Sequence, residues 1–309
     1  MKVISTIENY QATEGCSLTI GTFDGVHIGH REIIDRLVKS AREKNHLAVV
    51  LTFFPHPRMV LQKDTSIRLI DTLKEKQQLL SDLGVDVVVI HPFSKEFSRQ
   101  TADEFTRDIL VKAFNIEHLI IGYDHRFGRN REATVDDLIN AGETYGFTVE
   151  KIEAQEIASV NVSSTKIRTA LEEGKMKIAT DYLNRPFRLS GKVIEGEKIG
   201  RTIGFPTANL QIEEEYKLMP CDGVYFIQSQ LENRLVYGMM NVGFRPTLAG
   251  EQRSFEVHFF DFKQDLYGVL LHIDLLELIR KEKKFDSLEM LKVQLEEDQA
   301  KCRQLIPVK

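Results

Sequence analysis

Between Gly21 and His30 the chain reads GTFDGVHIGH. Two imidazoles, His27 and His30, stand three residues apart. They follow the apolar run SLTI (Ser17–Ile20) and precede the apolar-periodic stretch REIIDRLVKSAREKN. That order puts the ten residues at the carboxyl end of a strand and the start of a helix. A helix N-terminus has unpaired N–H groups and a partial positive charge, so it seats anions such as phosphate. Imidazoles on its first turn donate hydrogen bonds to oxygens that gain charge in a transition state. Gly21, Gly25 and Gly29 let the backbone approach a ligand. For an isolated HxGH, a glycine-rich turn with two surface histidines is an equally good reading.

Three further segments tip that balance. TFFPHP (Thr52–Pro57) ends another apolar run with His56 between prolines. GYDHRFGRNREA (Gly122–Ala133) brings Asp124, Arg126, Arg129 and Arg131. SSTKIR (Ser163–Arg168) offers Ser163, Ser164, Lys166 and Arg168 at a helix start. All lie where an open α/β sheet of this order gathers its ligand loops. The four together read as a nucleotide site. The chain has no GxxxxGK[ST] loop and no GxGxxG after a strand, which excludes a P-loop enzyme and the usual dinucleotide redox fold.

The elements that must position these residues alternate. Strands are predicted at 17–20, 47–53, 85–91, 118–122 and 147–152, with helices at about 31–45, 72–83 and 101–114. Continuous apolar runs such as LAVVLTF (Leu47–Phe53) suit strands buried on both faces. The order predicts a Rossmann-like α/β domain with a parallel sheet. Near residue 184 the pattern changes to short alternating segments broken by Gly and Pro. VYFIQSQL, RLVYGMMNV, SFEVHFFDF and VLLHIDLLELI predict a small antiparallel β-barrel, and SLEMLKVQLEEDQAKCRQL a terminal helix. The expected domains are 1–183 and 184–309.

The second half has its own chemistry-bearing residues. GKVIEGEKIGRTIGFPTANL (Gly191–Leu210) holds Gly196, Gly200 and Gly204, more glycine than strand turns need. Thr207 and Asn209 share one side of an extended segment and supply hard oxygens suited to Mg²⁺ beside phosphates. Glu256 and His258 share a face of an otherwise apolar strand. Glu256 either points into the barrel, which is costly unless it is paired or used, or is simply solvated. Arg245 and Arg280 read equally well as solubilising arginines.

HxGH with a downstream SSTKIR resembles the nucleotidylyltransferase superfamily, and GTFDGVHIGH with TFFPHP and GYDHRFG is similar to its flavin adenylyltransferase branch. GRTIGFPTAN, NVGFRPT and DLYG resemble riboflavin kinase across 185–309. Together the halves resemble the bifunctional bacterial riboflavin kinase/FMN adenylyltransferases. The resemblance implies that riboflavin and ATP give FMN in the second half, and that FMN and ATP give FAD and pyrophosphate in the first. It implies His27 and His30 as catalytic, with Gly21, Phe23, Gly29, Ser163, Ser164 and Arg168 on the nucleotide. His56, Asp124, His125 and Arg126 would face flavin. In the kinase half it implies Glu256 as general base, Gly196, Gly200 and Gly204 over ATP, Thr207 and Asn209 on Mg²⁺, and Asn241 and Arg280 on flavin. The chain departs from the pattern at His125, where Phe is expected, and at Ala133 and Asn184, where Gly is expected.

Two other readings are an adenylyltransferase for a different phosphorylated metabolite carrying an inert barrel, and a non-catalytic flavin or nucleotide sensor. PTAN, Glu256 and DLYG argue against the first, and both histidines with a candidate base against the second. A net charge of −5 argues against bulk nucleic-acid binding, and no apolar run approaches a membrane span. Three scattered cysteines in no metal spacing, and a polar beginning, predict a cytoplasmic protein. Nothing predicts homo-oligomerisation.

Overall fold

The computed structural model describes residues 1–12, 15–62, 67–123, 125–153, 162–196, 199–247 and 250–307. The chain forms two compact units, Met1–Ser164 and Thr165–Lys309.

In the first unit six parallel strands lie in the order β1-β4-β3-β2-β5-β6. They are β1 (Lys2–Ile4), β2 (Cys16–Ile20), β3 (Leu47–Phe53), β4 (Val87–His91), β5 (Ile116–Gly122) and β6 (Thr148–Ile152). Side chains alternate between faces with period two. Leu18, Val49, Leu51, Val89, Leu119 and Ile121 face one apolar layer with Phe114 and Leu138. Ala48, Val50, Val88 and Ile120 face the other, against Ile34, Leu37 and Leu80. Both faces are therefore dry, which is why these strands read as continuous apolar runs. The helices are α1 (Ile28–Lys44), α2 (Pro57–Leu61), α3 (Leu73–Asp82), α4 (Ala102–Glu104) and α5 (Val135–Tyr145).

Three expectations need adjusting. β1 was not predicted, because three residues carry no readable alternation. α1 begins at Ile28 rather than near Arg31, because His27 caps it. The stretch predicted as one helix from Thr101 is α-helical only over Ala102–Glu104 and continues as a π-helix, Phe105–Ala113. Phe105 and Leu110, like Ile109 and Phe114, are buried pairs five residues apart, a spacing that suits the wider π turn.

The second unit opens with α6 (Ser164–Glu172), whose first residue still belongs to the first unit, and α7 (Met176–Leu183). A closed barrel follows, ordered β10-β11-β8-β7-β12-β9. Its strands are β7 (Phe187–Ile194), β8 (Ala208–Gln211), β9 (Gly223–Leu231), β10 (Arg234–Thr247), β11 (Gly250–Phe259) and β12 (Leu270–Lys281). A short helix, α8 (Ile199–Thr202), precedes β8, and α9 (Leu288–Gln304) ends the unit. Tyr225, Ile227, Met240, Val257, Leu271 and Ile273 are almost fully buried and fill the interior. The opposite face carries Val224, Phe226 and Met239, which pack on Leu295 and Cys302 of α9. Asn184, at a position where the resembled pattern has Gly, ends α7 with φ of 53°, and Asn tolerates this left-handed conformation.

Candidate functional site

In the first unit the strand order reverses beside β2. β3 and β4 lie on one side of it and β5 on the other, so the segments leaving β2 and β5 flank a topological switch point. Open α/β sheets bind ligands there. Gly21–His27 leaves β2 and enters α1 with His27 as N-cap. Gly21 lies against the Phe23 ring, which is buried and meets His30 edge-on at 5.3 Å between centroids. Phe23 and the β-branched Val26 take positive φ, 46° and 38°. Such residues cost about 1–3 kcal/mol each and persist only where surrounding contacts hold them. Gly29 is buried in the first turn of α1.

The two imidazoles stack with centroids 3.6 Å apart. His27 Nδ1 accepts the His30 backbone N–H at 3.3 Å, which puts the neutral ring's proton on Nε2 and leaves that edge as a donor. Burial pushes the His27 pKa down to about 4, against a smaller opposing effect of a backbone hydrogen bond. His30 also lies well below the ordinary histidine range, through burial and then the nearby His27 and Lys76. Both rings are therefore neutral near pH 7. They can donate hydrogen bonds to phosphate oxygens without charge already in place.

The other predicted residues fall at different distances from this pair. Ser164 Oγ donates to the Asp24 carbonyl at 2.9 Å, which ties the SSTKIR segment, including adjacent half-buried Ser163, to the turn. Arg168 lies on α6, in the second unit. His56 caps α2, its Nδ1 accepting the Arg58 N–H at 3.2 Å, so one ring nitrogen is committed to bracing that loop. His125 is half-buried with its ring stacked at 6.2 Å from Phe127, and Arg126 is exposed. Phe127 and Ala133 bridge to close the loop after β5. Asp124 lies outside the described residues.

Reading the sequence missed the groups beneath the turn. Lys76 is 3% exposed, and its Nζ donates to the Thr22 carbonyl at 2.7 Å. Asp24, 1% exposed, accepts the Ile70 N–H at 2.9 Å. The signal was present: Leu73, Lys76 and Leu80 share one helical face, and Lys76 occupies a core position of that pattern.

In the barrel, Asn209 of β8 pairs in register with Glu256 of β11, and Glu256 with Asn241 of β10. Asn241 pairs with Val224 of β9, and Val224 with Arg280 of β12. Residues in register share a face. Four predicted residues thus form one row across the barrel, interrupted only by Val224. The face is neither of the two expected for Glu256: it is the outer one, against which α9 packs, and Glu256 is half-buried there. Arg280 is not a solubilising residue. It forms an ion pair at 2.8 Å with Asp298 of α9, which is fully buried, and lies over the Phe285 ring. His258, two residues beyond Glu256, hydrogen-bonds through Nδ1 with the Pro206 carbonyl at 2.8 Å, anchoring the segment that carries Thr207.

The glycines before β8 have steric reasons. A Cβ on Gly196 would fall 2.1 Å from Asn209 Nδ2, and one on Gly200 would fall 2.2 Å from the Phe205 carbonyl oxygen. Gly204 closes the turn after α8. Thr207 lines a cavity of about 390 Å³ with Arg201, Val257, Lys263, Asp265 and Tyr267, which joins the PTAN and DLYG segments at one place. Among the described residues no three His, Cys, Asp or Glu side chains cluster as metal ligands. Hydroxyl and amide oxygens at Thr207 and Asn209 still fit Mg²⁺, which takes few protein ligands and keeps water and phosphate.

A parallel sheet with paired imidazoles at its switch point, followed by a closed barrel with a carboxylate between two amides, defines a two-part nucleotide-using enzyme. The family model for FAD synthetase matches residues 9–166 and that for riboflavin kinase residues 183–306. The bifunctional riboflavin kinase/FMN adenylyltransferase of Escherichia coli strain K12 is 38% identical over 98% of this chain and 97% of its own. That of Pseudomonas fluorescens is 36% identical over 99% and 98%. A Streptococcus pneumoniae structure described as a macrolide-efflux protein is 34% identical, with a TM-score of 0.87 over 97% of this chain and 98% of its own. The chain belongs to the bifunctional riboflavin kinase/FMN adenylyltransferase family, with the two activities in the predicted order. No helix among the described residues is long and apolar enough to cross a membrane.

Proposed function

We propose that the two activities divide among named residues as follows. In the barrel, Glu256 takes the proton of the riboflavin ribityl hydroxyl as that oxygen attacks the γ-phosphorus of ATP. The bond from γ-phosphorus to the bridging oxygen breaks, and FMN and ADP leave. Asn241 and Arg280 orient the flavin along the outer face. The Gly196–Gly204 segment covers the ATP phosphates beside the Thr207 cavity. Thr207 and Asn209 hold Mg²⁺, which supplies charge neutralisation at the phosphates when bound. Positioning and charge account for most of the acceleration in such transfers.

In the first unit an FMN phosphate oxygen attacks the α-phosphorus of ATP, the α–β bridging bond breaks, and FAD and pyrophosphate form. No protein nucleophile is needed. His27 Nε2–H and His30 donate to oxygens that gain charge, with Gly21, Phe23 and Gly29 shaping the nucleotide seat and Ser163 and Ser164 on the leaving pyrophosphate. His125, Asp124 and Arg126 serve the flavin side, with His56 bracing a neighbouring loop. The kinase half is read as starting at 183/184, where the riboflavin kinase match begins, with α6 and α7 preceding it inside the second compact unit, and the setting as cytoplasmic.

The cross-strand row Asn209–Glu256–Asn241 carries this reading, because an inert barrel has no use for a half-buried carboxylate between two amides. Incubating the purified chain with riboflavin, ATP and Mg²⁺, with flavins separated over time, tests it. FMN should appear first and FAD after it. Absence of any phosphorylated flavin from folded protein overturns the reading.

A further inference from the structure

Lysine is almost never fully buried unless its charge is matched. Lys76 is 3% exposed, and its position is fixed by the start of α3, where Thr72 and Glu75 cap the helix reciprocally. Its ammonium donates to the Thr22 carbonyl, the last peptide oxygen before Phe23, the first of three residues of positive φ in the turn. The same carbonyl accepts the Thr52 hydroxyl from β3 at 3.2 Å. Burial pulls the Lys76 pKa below the ordinary lysine range, and Asp24 and Asp71, each 1% exposed, oppose that pull by attracting the ammonium. Asp24 is itself pinned, its carboxylate by the Ile70 N–H and its carbonyl by Ser164. Thr22 and Asp24 are thus gripped from β3, α3, the segment before it and the start of α6, while Phe23 between them is bent into the left-handed region.

We propose that Lys76 is a positioning residue for adenylyl transfer: its ammonium, sealed under the turn after β2, holds the strained backbone in the shape that stacks His27 on His30. Lys76 reaches the reacting groups through the Thr22 peptide and does not itself touch substrate. Its charge is the counter-ion that allows Asp24 and Asp71 to be buried so close to a phosphate seat. It also disfavours protonation of His30, in keeping with a neutral donor pair. The inference rests on the histidine reading above and deepens it.

The test uses the full chain with FMN, ATP and Mg²⁺ for FAD formation, and with riboflavin, ATP and Mg²⁺ for the kinase. Lys76→Met keeps the length and removes the charge and the donor, whereas Lys76→Gln keeps a donor for the Thr22 carbonyl. The expectation for Lys76→Met is a fall of about 100-fold in kcat for FAD formation, as a small misplacement of reacting groups produces. The KM for ATP should change less than kcat, the histidine ring-proton resonances should shift as the stack is lost, and kinase rates should stay at wild type. Lys76→Gln should fall between the two. Wild-type kcat for FAD formation in either folded variant overturns the proposal. So does loss of folding in both, which would assign Lys76 to stability alone. His30→Ala separates the two levels: if it keeps FAD formation, the histidine reading itself fails. An inactive His30→Ala beside an active Lys76→Met sinks only the role of Lys76.

Discussion

Neutral, stacked histidines at a phosphate seat have a consequence for stability. The His27 pKa is about 4 in the folded chain against 6.5 when free. The unfolded state therefore binds the proton first as pH falls, and the stability contributed by burying a neutral ring is intact above about pH 6.5 and lost toward pH 4. Between pH 7 and 5 the loss from His27 is about 2 kcal/mol, with His30 acting in the same direction. Urea titrations of the full chain should show the first unit's transition at lower urea at pH 5 than at pH 7, and His27→Gln should shrink that difference. Equal midpoints in wild type would mean the rings are not buried neutral. Glu256 makes a different demand. Glu256→Gln removes the acceptor for the ribityl proton, so FMN formation should drop about 10²- to 10⁴-fold while FAD formation from supplied FMN persists. Wild-type kinase rates in that variant would remove Glu256 from the chemistry.

The segment before β8 is shaped by what lies against it more than by its own propensities. Gly196 has no side chain because the Asn209 amide occupies that space. Gly196→Ala should displace Asn209 and raise the Mg²⁺ or ATP requirement of the kinase about 10- to 100-fold, as loss of a metal site's supporting contacts does. FAD formation from FMN should be unaffected, and unchanged Mg²⁺ titrations would count against Asn209 as a ligand. α9 depends on a different kind of contact. Asp298 is fully buried and binds the Arg280 guanidinium, which is itself only 18% exposed. Asp298→Ala leaves that cation without its partner, at a cost of about 3–5 kcal/mol. Thermal unfolding should show this loss in the second unit, with the kinase KM for riboflavin rising because α9 lies over the Glu256 face. These elements were legible in outline. The three glycines stood out in the sequence, but the reason for Gly196 lies in Asn209, 13 positions further along, which local pattern does not show.

At the scale of the whole chain, two family matches divide between an amino-terminal and a carboxyl-terminal half, in the order that lets the product of the second feed the first. Separate active sites should be separately disabled. His30→Ala is expected to lower FAD formation about 10²- to 10³-fold, the scale set by losing one transition-state donor, with riboflavin phosphorylation near wild type. Parallel loss of both activities would show that the histidine supports the fold of the whole chain and not one reaction.

Fold class and reaction were both legible because their signals are local. Alternation with period two, strand–helix order, and short motifs such as GTFDGVHIGH and GRTIGFPTAN lie within a few turns of chain. Glu256 was legible as a candidate but not as a geometry, since strand periodicity gives two faces and does not say which is inside. Only barrel closure, with α9 laid over Val224, Phe226 and Met239, put Glu256 on the outer face and in line with Asn209, Asn241 and Arg280. Lys76 lay within an apolar stripe and was not singled out, because two of its partners, Thr22 and Asp24, come from a turn some fifty residues away. What the sequence determined by itself is the fold class, the pair of activities and a set of candidate groups on the elements that bear them. What tertiary structure decided is which of those groups are buried, and therefore neutral, paired or aligned. Burial and register are properties of contacts between distant segments, and no local pattern encodes them.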